Sequence, residues 1–282
     1  MCTLPEDRGL DEHGHVRREG DLGLVQPEFA ELVREYAAAA RAAFGAGLDS
    51  VYLYGSIPRG TARPGISDLD GQLLLTREPT ETDRATVRRL EGELGAGHPQ
   101  VCFVGILLDS RAALTDPAER WDGGFHVRVL CTPLWGPDAG EEVAPHEVGL
   151  ELARGVQGDW RSALGRVRQE AERIARARSG ELAGPGRAAA AADASAVGAL
   201  CRSVGRRLTR IAFAWVMPRW GGWSSDPTVM REVVAVFEPA WEAPVAAAVR
   251  LGWQGEQDLA LAQELLAGFA DELIARGTEI GA

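Results

Sequence analysis

Two aspartates separated by one residue, Asp68 and Asp70, have the types and spacing best suited to chemistry in this sequence. They open an apolar segment. Because side chains alternate along a strand, both carboxylates should emerge on one face and Leu69 on the other. Mg²⁺ suits such a pair, since it often takes only one or two carboxylates and fills its other positions with water and substrate phosphates. The spacing therefore predicts a magnesium site.

A glycine–serine turn precedes the two aspartates. The β-branched and aromatic strand Ser50–Tyr54 stops at Gly55, where the backbone can turn without a β-carbon in the way. Such a turn, leading into a helical segment, would present unpaired amides and the Ser56 hydroxyl, which suit the terminal phosphates of a nucleotide. Arg59 and Arg63 follow closely, either as phosphate contacts or as solvated loop arginines.

The motifs occur in a fixed order along one stretch: Gly55-Ser56, Arg59-Gly60, Arg63-Pro64-Gly65 and Ser67-Asp68-Leu69-Asp70. Together they resemble the signature of the DNA polymerase β-like nucleotidyltransferase superfamily, in its small-molecule branch, to which aminoglycoside adenylyltransferases belong. The resemblance implies catalytic and metal-binding roles for Asp68 and Asp70. It also implies nucleotide contacts for five residues, namely Gly55, Ser56, Arg59, Arg63 and Ser67.

The same resemblance implies a third carboxylate on a following strand, where it joins the metal site or acts as the base toward the incoming hydroxyl. The candidate strand is Gln100–Asp109, and the aligned position is Gly105. Asp109 shares its face but lies four residues along, roughly 13 Å away at about 3.3 Å per residue. Either another acid fills the role, or the chemistry has been reduced or changed.

The flanking segments predict an α+β fold. Two helices accompany the strands. The first runs from Pro27 to a stop at Gly45, and the second covers Pro79–Leu94 and begins with a capping box of Thr80 and Asp83. We expect a polar tail over residues 1–26 and a polymerase β-like nucleotidyltransferase domain, with a mixed sheet and helices, over residues 27–140. An all-helical domain should follow over residues 141–282, resembling the half of adenylyltransferases that closes over the nucleotide.

Periodicity leaves one segment undecided and divides the C-terminal half into helices. Trp121–Trp135 is compatible with a strand, because Phe125–Leu130 alternates, and with a helix, which relatives of this shape commonly have there. Further helices are predicted over five ranges, with Pro218 ending the second: 147–178, 188–217, 228–237, 239–251 and 256–274.

Composition excludes several classes of function. The net charge of -11 argues against binding to nucleic acid, which requires a basic face. All 30 cationic side chains are arginine, which excludes Schiff-base lysines and the Gly-Lys-Ser/Thr phosphate loop.

The four scattered cysteines and the polar N-terminus predict a cytoplasmic protein without disulfides or a signal peptide. No apolar run approaches the about 20 residues of a membrane helix, and the sequence gives no signal for oligomeric state.

Other candidate residues have an ordinary interpretation beside the functional one. His13 and His15 are two histidines without further ligands, and we favour an inert role. His126 could touch substrate or be a partly buried structural residue. Trp215 is expected in the core, whereas Trp220 and Trp223 fall in a glycine-rich loop and could stack on a ligand. Acids that could supply a base, although surface exposure is the default for each, are Glu141, Glu142, Glu147 and Asp226.

Two hypotheses follow. The first is a Mg²⁺-dependent enzyme that moves a nucleoside monophosphate, with AMP from ATP favoured, to a hydroxyl of a small molecule such as an aminoglycoside-like compound. The alternative is a diverged nucleotidyltransferase-fold protein without transfer activity, which serves as a ligand-binding or interaction module or has a repurposed activity in a biosynthetic pathway. The intact turn and both aspartates favour the first hypothesis, and Gly105 favours the second.

Overall fold

A computed structural model describes residues 4–178 and 187–281, with the backbone alone for 187–193. The described chain divides into two compact units, one formed by Asp11–His146 and the other by the remaining residues. The first unit contains a mixed sheet with helices and the second is helical. The expected α+β fold class is confirmed.

A four-stranded sheet organises the first unit. Its strands are β1 (Leu48–Tyr54), β2 (Leu69–Leu75), β3 (Val104–Ser110) and β4 (Thr132–Trp135). They lie in the order β3-β2-β1-β4, with β1 antiparallel to both β2 and β4 and β2 parallel to β3. The central pair, β1 and β2, is therefore formed by the two strands that carry the predicted turn and the predicted carboxylates.

Helices α1 (Pro27–Phe44) and α2 (Glu81–Gly97) cover one face of this sheet. Their apolar stripes join inward residues of β1, β2 and β3 in one core, in which Phe29 and Tyr36 of α1 and Leu69 of β2 are fully buried. Gly71 lets α1 approach closely, because a β-carbon there would lie 2.5 Å from the Tyr36 hydroxyl oxygen.

The opposite face is covered in part by residues 120–143. Tyr52 and Leu74 pack there against Val127, Cys131 and neighbouring apolar residues in a second, smaller core. The Tyr52 hydroxyl accepts a hydrogen bond from the amide of Ala139 (2.7 Å). That bond fixes the covering segment against β1.

The segment Trp121–Trp135, for which the sequence allowed either a helix or a strand, contains both. Residues 120–130 wind with i→i+5 hydrogen bonds, in π-helical turns over Arg120–Gly124 and His126–Leu130, and β4 follows. The strand interpretation of 125–130 is wrong. Phe125, Val127 and Val129 are all buried, so their alternation reflects burial on more than one side of a helix.

Helix α2 begins at the predicted capping box. Thr80 Oγ1 accepts from the Asp83 amide (3.3 Å), and Asp83 Oδ2 accepts from the Thr80 amide (2.7 Å). Arg77 donates two further hydrogen bonds to the same carboxylate, at 2.7 and 3.0 Å. Hydrogen bonds from Arg77 and Thr80 lower the pKa of Asp83. The carboxylate therefore favours folding at neutral pH.

Replacing Asp83 by Asn is expected to destabilise the protein by about 1 kcal/mol at pH 7, because the neutral amide loses the negative charge that Arg77 and the N-terminus of α2 stabilise. The loss should shrink as the pH falls below about 4, where the unfolded carboxylate takes up a proton. Chemical unfolding of the wild type and of Asp83→Asn at several pH values measures this difference in the free energy of unfolding. Glu81→Gln, which removes an exposed charge from the same helical turn, should change stability much less than Asp83→Asn does. An Asp83→Asn protein as stable as Glu81→Gln would contradict the stabilising role of the Asp83 charge.

The second unit is built from helices within its described residues. They are α4 (Leu150–Gly155), α5 (Trp160–Arg178), α6 (Arg187–Trp220), α7 (Pro227–Phe237), α8 (Glu242–Trp253), α9 (Leu259–Ala267) and α10 (Phe269–Glu279). The remaining short helix, α3 (Arg111–Thr115), belongs to the first unit. Helix α6 packs closely on α8, because Gly205 and Gly252 lack the β-carbons that would collide there.

The predicted helix boundaries of this unit are wrong at three places. The helix expected over 147–178 is interrupted between α4 and α5, and the one expected over 256–274 is broken at Gly268. Pro218 lies inside the last turn of α6 rather than ending the helix, which stops at Gly221, with φ +71°. Pro218 lacks the N–H that would donate to the carbonyl of residue 214, but the loss of this one bond does not end the helix, whereas left-handed glycine is a common helix stop.

Within residues 4–178 and 187–281, no helix combines the length and the apolar composition that a membrane span requires.

Candidate functional site

The predicted turn lies at the end of β1. Gly55 has φ +80°, and residues 55–60 form consecutive turns in which Gly60 N donates to Ile57 O (3.1 Å) and Thr61 N donates to Ser56 O (3.0 Å). The helical segment expected after the turn is therefore wrong. Pro58 disfavours a helical conformation at the residue before it, and Gly60 is left-handed at φ +69°.

The turn has unused backbone donors. Among the residues that the structure describes, none accepts a hydrogen bond from the amide of Ser56 or of Ile57. Two neighbouring backbone donors at the end of β1 therefore have no acceptor within the described part of the chain, in a turn that no helix follows.

Asp70 faces this turn. It pairs with Tyr54 across the antiparallel strands, and its carboxylate lies over the Cα of Gly55, so that a β-carbon on Gly55 would be 2.4 Å from Asp70 Oδ2. Only glycine at position 55 leaves that space to the carboxylate. The structure thus brings the glycine turn and the second aspartate together.

Asp68 lies half-buried just before β2, with the fully buried Leu69 between it and Asp70. Its Oδ1 accepts a hydrogen bond from the thiol of Cys102, 3.0 Å away, and that sulfur is also 2.9 Å from Ile66 O. Sequence reasoning gave Cys102 no role, because the contact joins residues 34 positions apart that no spacing pattern links. A thiol therefore contacts one of the two predicted metal ligands.

The position aligned with a third carboxylate is next to Asp70. Gly105 of β3 is the direct partner of Asp70 in the parallel pair, whereas Asp109 is opposite Leu74. A β-carbon on Gly105 would meet only the exposed ring of Phe103, at 3.0 Å. Space for a carboxylate exists there, but the residue that would supply it is absent.

The donor set fits one kind of metal site. Across the described residues, no group of three or more histidines, cysteines, aspartates and glutamates is arranged to hold a metal ion. An ion enclosed by protein ligands is not supported. A carboxylate at the glycine turn, with a second one two residues before it, is a donor set that fits Mg²⁺, which keeps waters and substrate oxygens as ligands.

The remaining predicted nucleotide contacts lie in the loop that joins β1 to β2. Arg59 Nη1 is 3.4 Å from Glu19 Oε2, and Arg63 is exposed. The Arg63 amide donates to Ser67 Oγ (2.9 Å) while the Ser67 amide donates back to Arg63 O (2.9 Å). Ser67 thus closes the loop just ahead of Asp68 and sets the direction in which β2 starts.

The surroundings of Tyr54 show the negative field of this site. Burial, followed by the charge of Asp70, the Cys131 thiol and the charge of Asp68, raises the pKa of Tyr54. The phenol therefore remains a neutral hydrogen-bond donor. Its ring meets His126 edge-on, with 4.9 Å between ring centroids.

Other candidates have structural partners or lie on the surface. Glu142 accepts a hydrogen bond from Arg111 (2.8 Å), and Asp226 caps α7. Glu141 and Glu147 are exposed.

Trp215 is buried against Trp160, as expected. Trp220 is buried against Phe213 at the end of α6 rather than placed in a loop.

Comparisons with known proteins give little beyond this geometry. No protein-family model and no curated protein matches the chain. Among solved structures, the chain is similar to spectinomycin adenyltransferase AAD(9) from Enterococcus faecialis, crystallised with ATP and spectinomycin. The TM-score is 0.46 at 14% sequence identity, over 84% of this chain and 96% of that chain.

Proposed function

We propose that this protein is a Mg²⁺-dependent nucleotidyltransferase that moves AMP from ATP to a hydroxyl of a small, aminoglycoside-like molecule. One observation carries the proposal, namely the Asp70 carboxylate that lies over Gly55 at the end of β1. A phosphate-binding turn and a metal-binding acid that touch each other fit a single ligand, a metal–triphosphate complex.

The remaining groups support this ligand. The amides of Ser56 and Ile57, which have no acceptor among the described residues, would bind terminal phosphate oxygens, and the Ser56 hydroxyl would add a further donor. Asp68 and Asp70 would hold Mg²⁺, which supplies positive charge against the triphosphate. Arg59, Arg63 and Ser67, in the loop between β1 and β2, would contact or order the same nucleotide.

Catalysis would come from positioning and charge neutralisation. The terminal phosphates, fixed at the turn, direct the leaving group away from the attacking hydroxyl. The acceptor oxygen forms a bond to the α-phosphorus, the bond from that phosphorus to the bridging oxygen breaks, and pyrophosphate leaves with the electron pair. An acceptor that carries amines would suit a protein with a net charge of -11.

Incubation with Mg²⁺ and α-labelled ATP, in the presence and absence of spectinomycin or other aminocyclitols, tests the proposal. Acceptor-dependent release of pyrophosphate, with the label transferred to the acceptor, is the expected result. Nucleotide binding without turnover on any acceptor would reject the transfer step.

A second candidate function rests on Gly105. With glycine beside Asp70 and no third protein ligand among the described residues, the site is also suited to bind a metal–nucleotide complex without transferring it. The same incubation separates the two, because a binding module retains ATP and releases no pyrophosphate.

A further inference from the structure

A transfer enzyme requires a group to accept the proton of the attacking hydroxyl, and Gly105 cannot supply it. General-base assistance is commonly worth about 10²–10⁴-fold in rate. Asp109, on the same strand, is half-buried, accepts a hydrogen bond from Gln72 Nε2 (3.2 Å), and lies four residues from the required position. The base should therefore come from another element that faces this side of the sheet.

His126 is on such an element. It lies in the π-helical segment that covers the sheet face opposite α1 and α2, and its ring packs edge-on against Tyr54, the residue paired with Asp70. The imidazole is thus one side chain away from the candidate metal ligand. Turns with i→i+5 hydrogen bonds are frequent at functional sites.

The Nε2 atom of His126 is buried, and within the described part of the chain it has no hydrogen-bond partner. An unsatisfied buried polar atom costs about 1–3 kcal/mol, so its presence requires an explanation. A hydroxyl group delivered by a substrate would satisfy it.

We propose that His126 accepts the proton of the acceptor hydroxyl, in place of the missing carboxylate at position 105. This proposal rests on the proposed nucleotidyl transfer. The acceptor O–H bond gives its proton to Nε2 as the oxygen bonds to the α-phosphorus and pyrophosphate departs. The resulting imidazolium then loses its proton to water.

The charges around His126 suit this role. Burial lowers the pKa of His126, which keeps the imidazole neutral and ready to accept a proton at pH 7, while Asp122 and Asp109 act in the opposite direction. These two carboxylates, one on its own segment and one on β3, would stabilise the imidazolium once it forms. Tyr54, from β1, stays neutral because its own pKa is raised.

The pH dependence of kcat in the wild-type protein tests the role without a substitution. With a neutral histidine as base, kcat should rise with pH to a plateau that begins below the ordinary histidine pKa of about 6.5. A rate that climbs about tenfold per pH unit through pH 7–9 would indicate direct attack by the ionised hydroxyl, and would overturn the proposal.

A rescue experiment adds an independent readout. His126→Gln should lower kcat by about 10²-fold or more, leave the KM for ATP within about twofold, and remove the histidine limb of the pH profile. Adding Gly105→Glu to that variant should restore much of the rate, because a carboxylate then occupies the position beside Asp70. A structural role for His126 predicts lower thermal stability and no rescue.

The outcomes of these experiments distinguish failure of the proposed nucleotidyl transfer from failure of the proposed histidine base. If wild-type protein transfers no label to any acceptor, the proposed function fails. If the wild type is active and His126→Gln keeps kcat within about threefold, nucleotidyl transfer stands and the histidine base is rejected.

Discussion

Replacing Asp70 by Asn should reduce nucleotidyl transfer about a thousandfold. The amide keeps the shape of the side chain over Gly55 but removes the negative charge that holds Mg²⁺. A metal ion that neutralises phosphoryl charge contributes several kcal/mol, and about 4 kcal/mol corresponds to three powers of ten in rate. The measurement is kcat/KM for label transfer at saturating Mg²⁺.

The fold should survive this substitution, because Asp70 is only partly buried and lies near a second carboxylate. Thermal unfolding of the variant checks that. Glu93→Gln is the matched control, since it removes one negative charge from an exposed ion pair with Arg89 on α2 and should leave transfer unchanged. Transfer by Asp70→Asn within tenfold of wild type would remove Asp70 from the metal site.

Replacing Gly55 by Ala should abolish binding of the metal–triphosphate complex. The new β-carbon would lie 2.4 Å from Asp70 Oδ2 and 3.2 Å from its Cγ, so the carboxylate has to leave the turn. The substitution also places a side chain at φ +80°, which costs of order 1–3 kcal/mol in folding stability. Equilibrium titration with a non-hydrolysable ATP analogue and Mg²⁺ measures the loss of binding.

Gly14 provides a control with nearly the same backbone geometry. It has φ +82° in the same unit, and a β-carbon there would meet no atom within 4 Å. Gly14→Ala should therefore lower stability by a similar amount and leave nucleotide affinity intact. Equal affinities for the two alanine variants would show that the contact between Gly55 and Asp70 is not needed to bind nucleotide.

The parts of the site predicted from sequence are those encoded locally. Gly55 and Asp70 are only 15 positions apart, and a short connection between two apolar strands favours their pairing. The capping box of α2 is likewise contained in four residues, and it was predicted correctly. Spacing and backbone chemistry within one stretch were sufficient for these features.

The parts that sequence could not give depend on distant contacts. Cys102 reaches Asp68, and His126 reaches Tyr54, across separations that no periodicity encodes. The strand interpretation of 125–130 failed because burial on several sides of a helix gave apolar residues at every second position. Tertiary packing overrode the local pattern in each case.

Calorimetric titration of a non-hydrolysable ATP analogue, with Mg²⁺ and with a chelator, tests whether Asp68 and Asp70 hold the metal of a bound metal–triphosphate complex. We expect binding that requires Mg²⁺ in the wild type and is lost in both Asp68→Asn and Asp70→Asn, while Glu93→Gln binds normally. Absence of nucleotide binding, or binding that is indifferent to Mg²⁺ and to both aspartates, would contradict it.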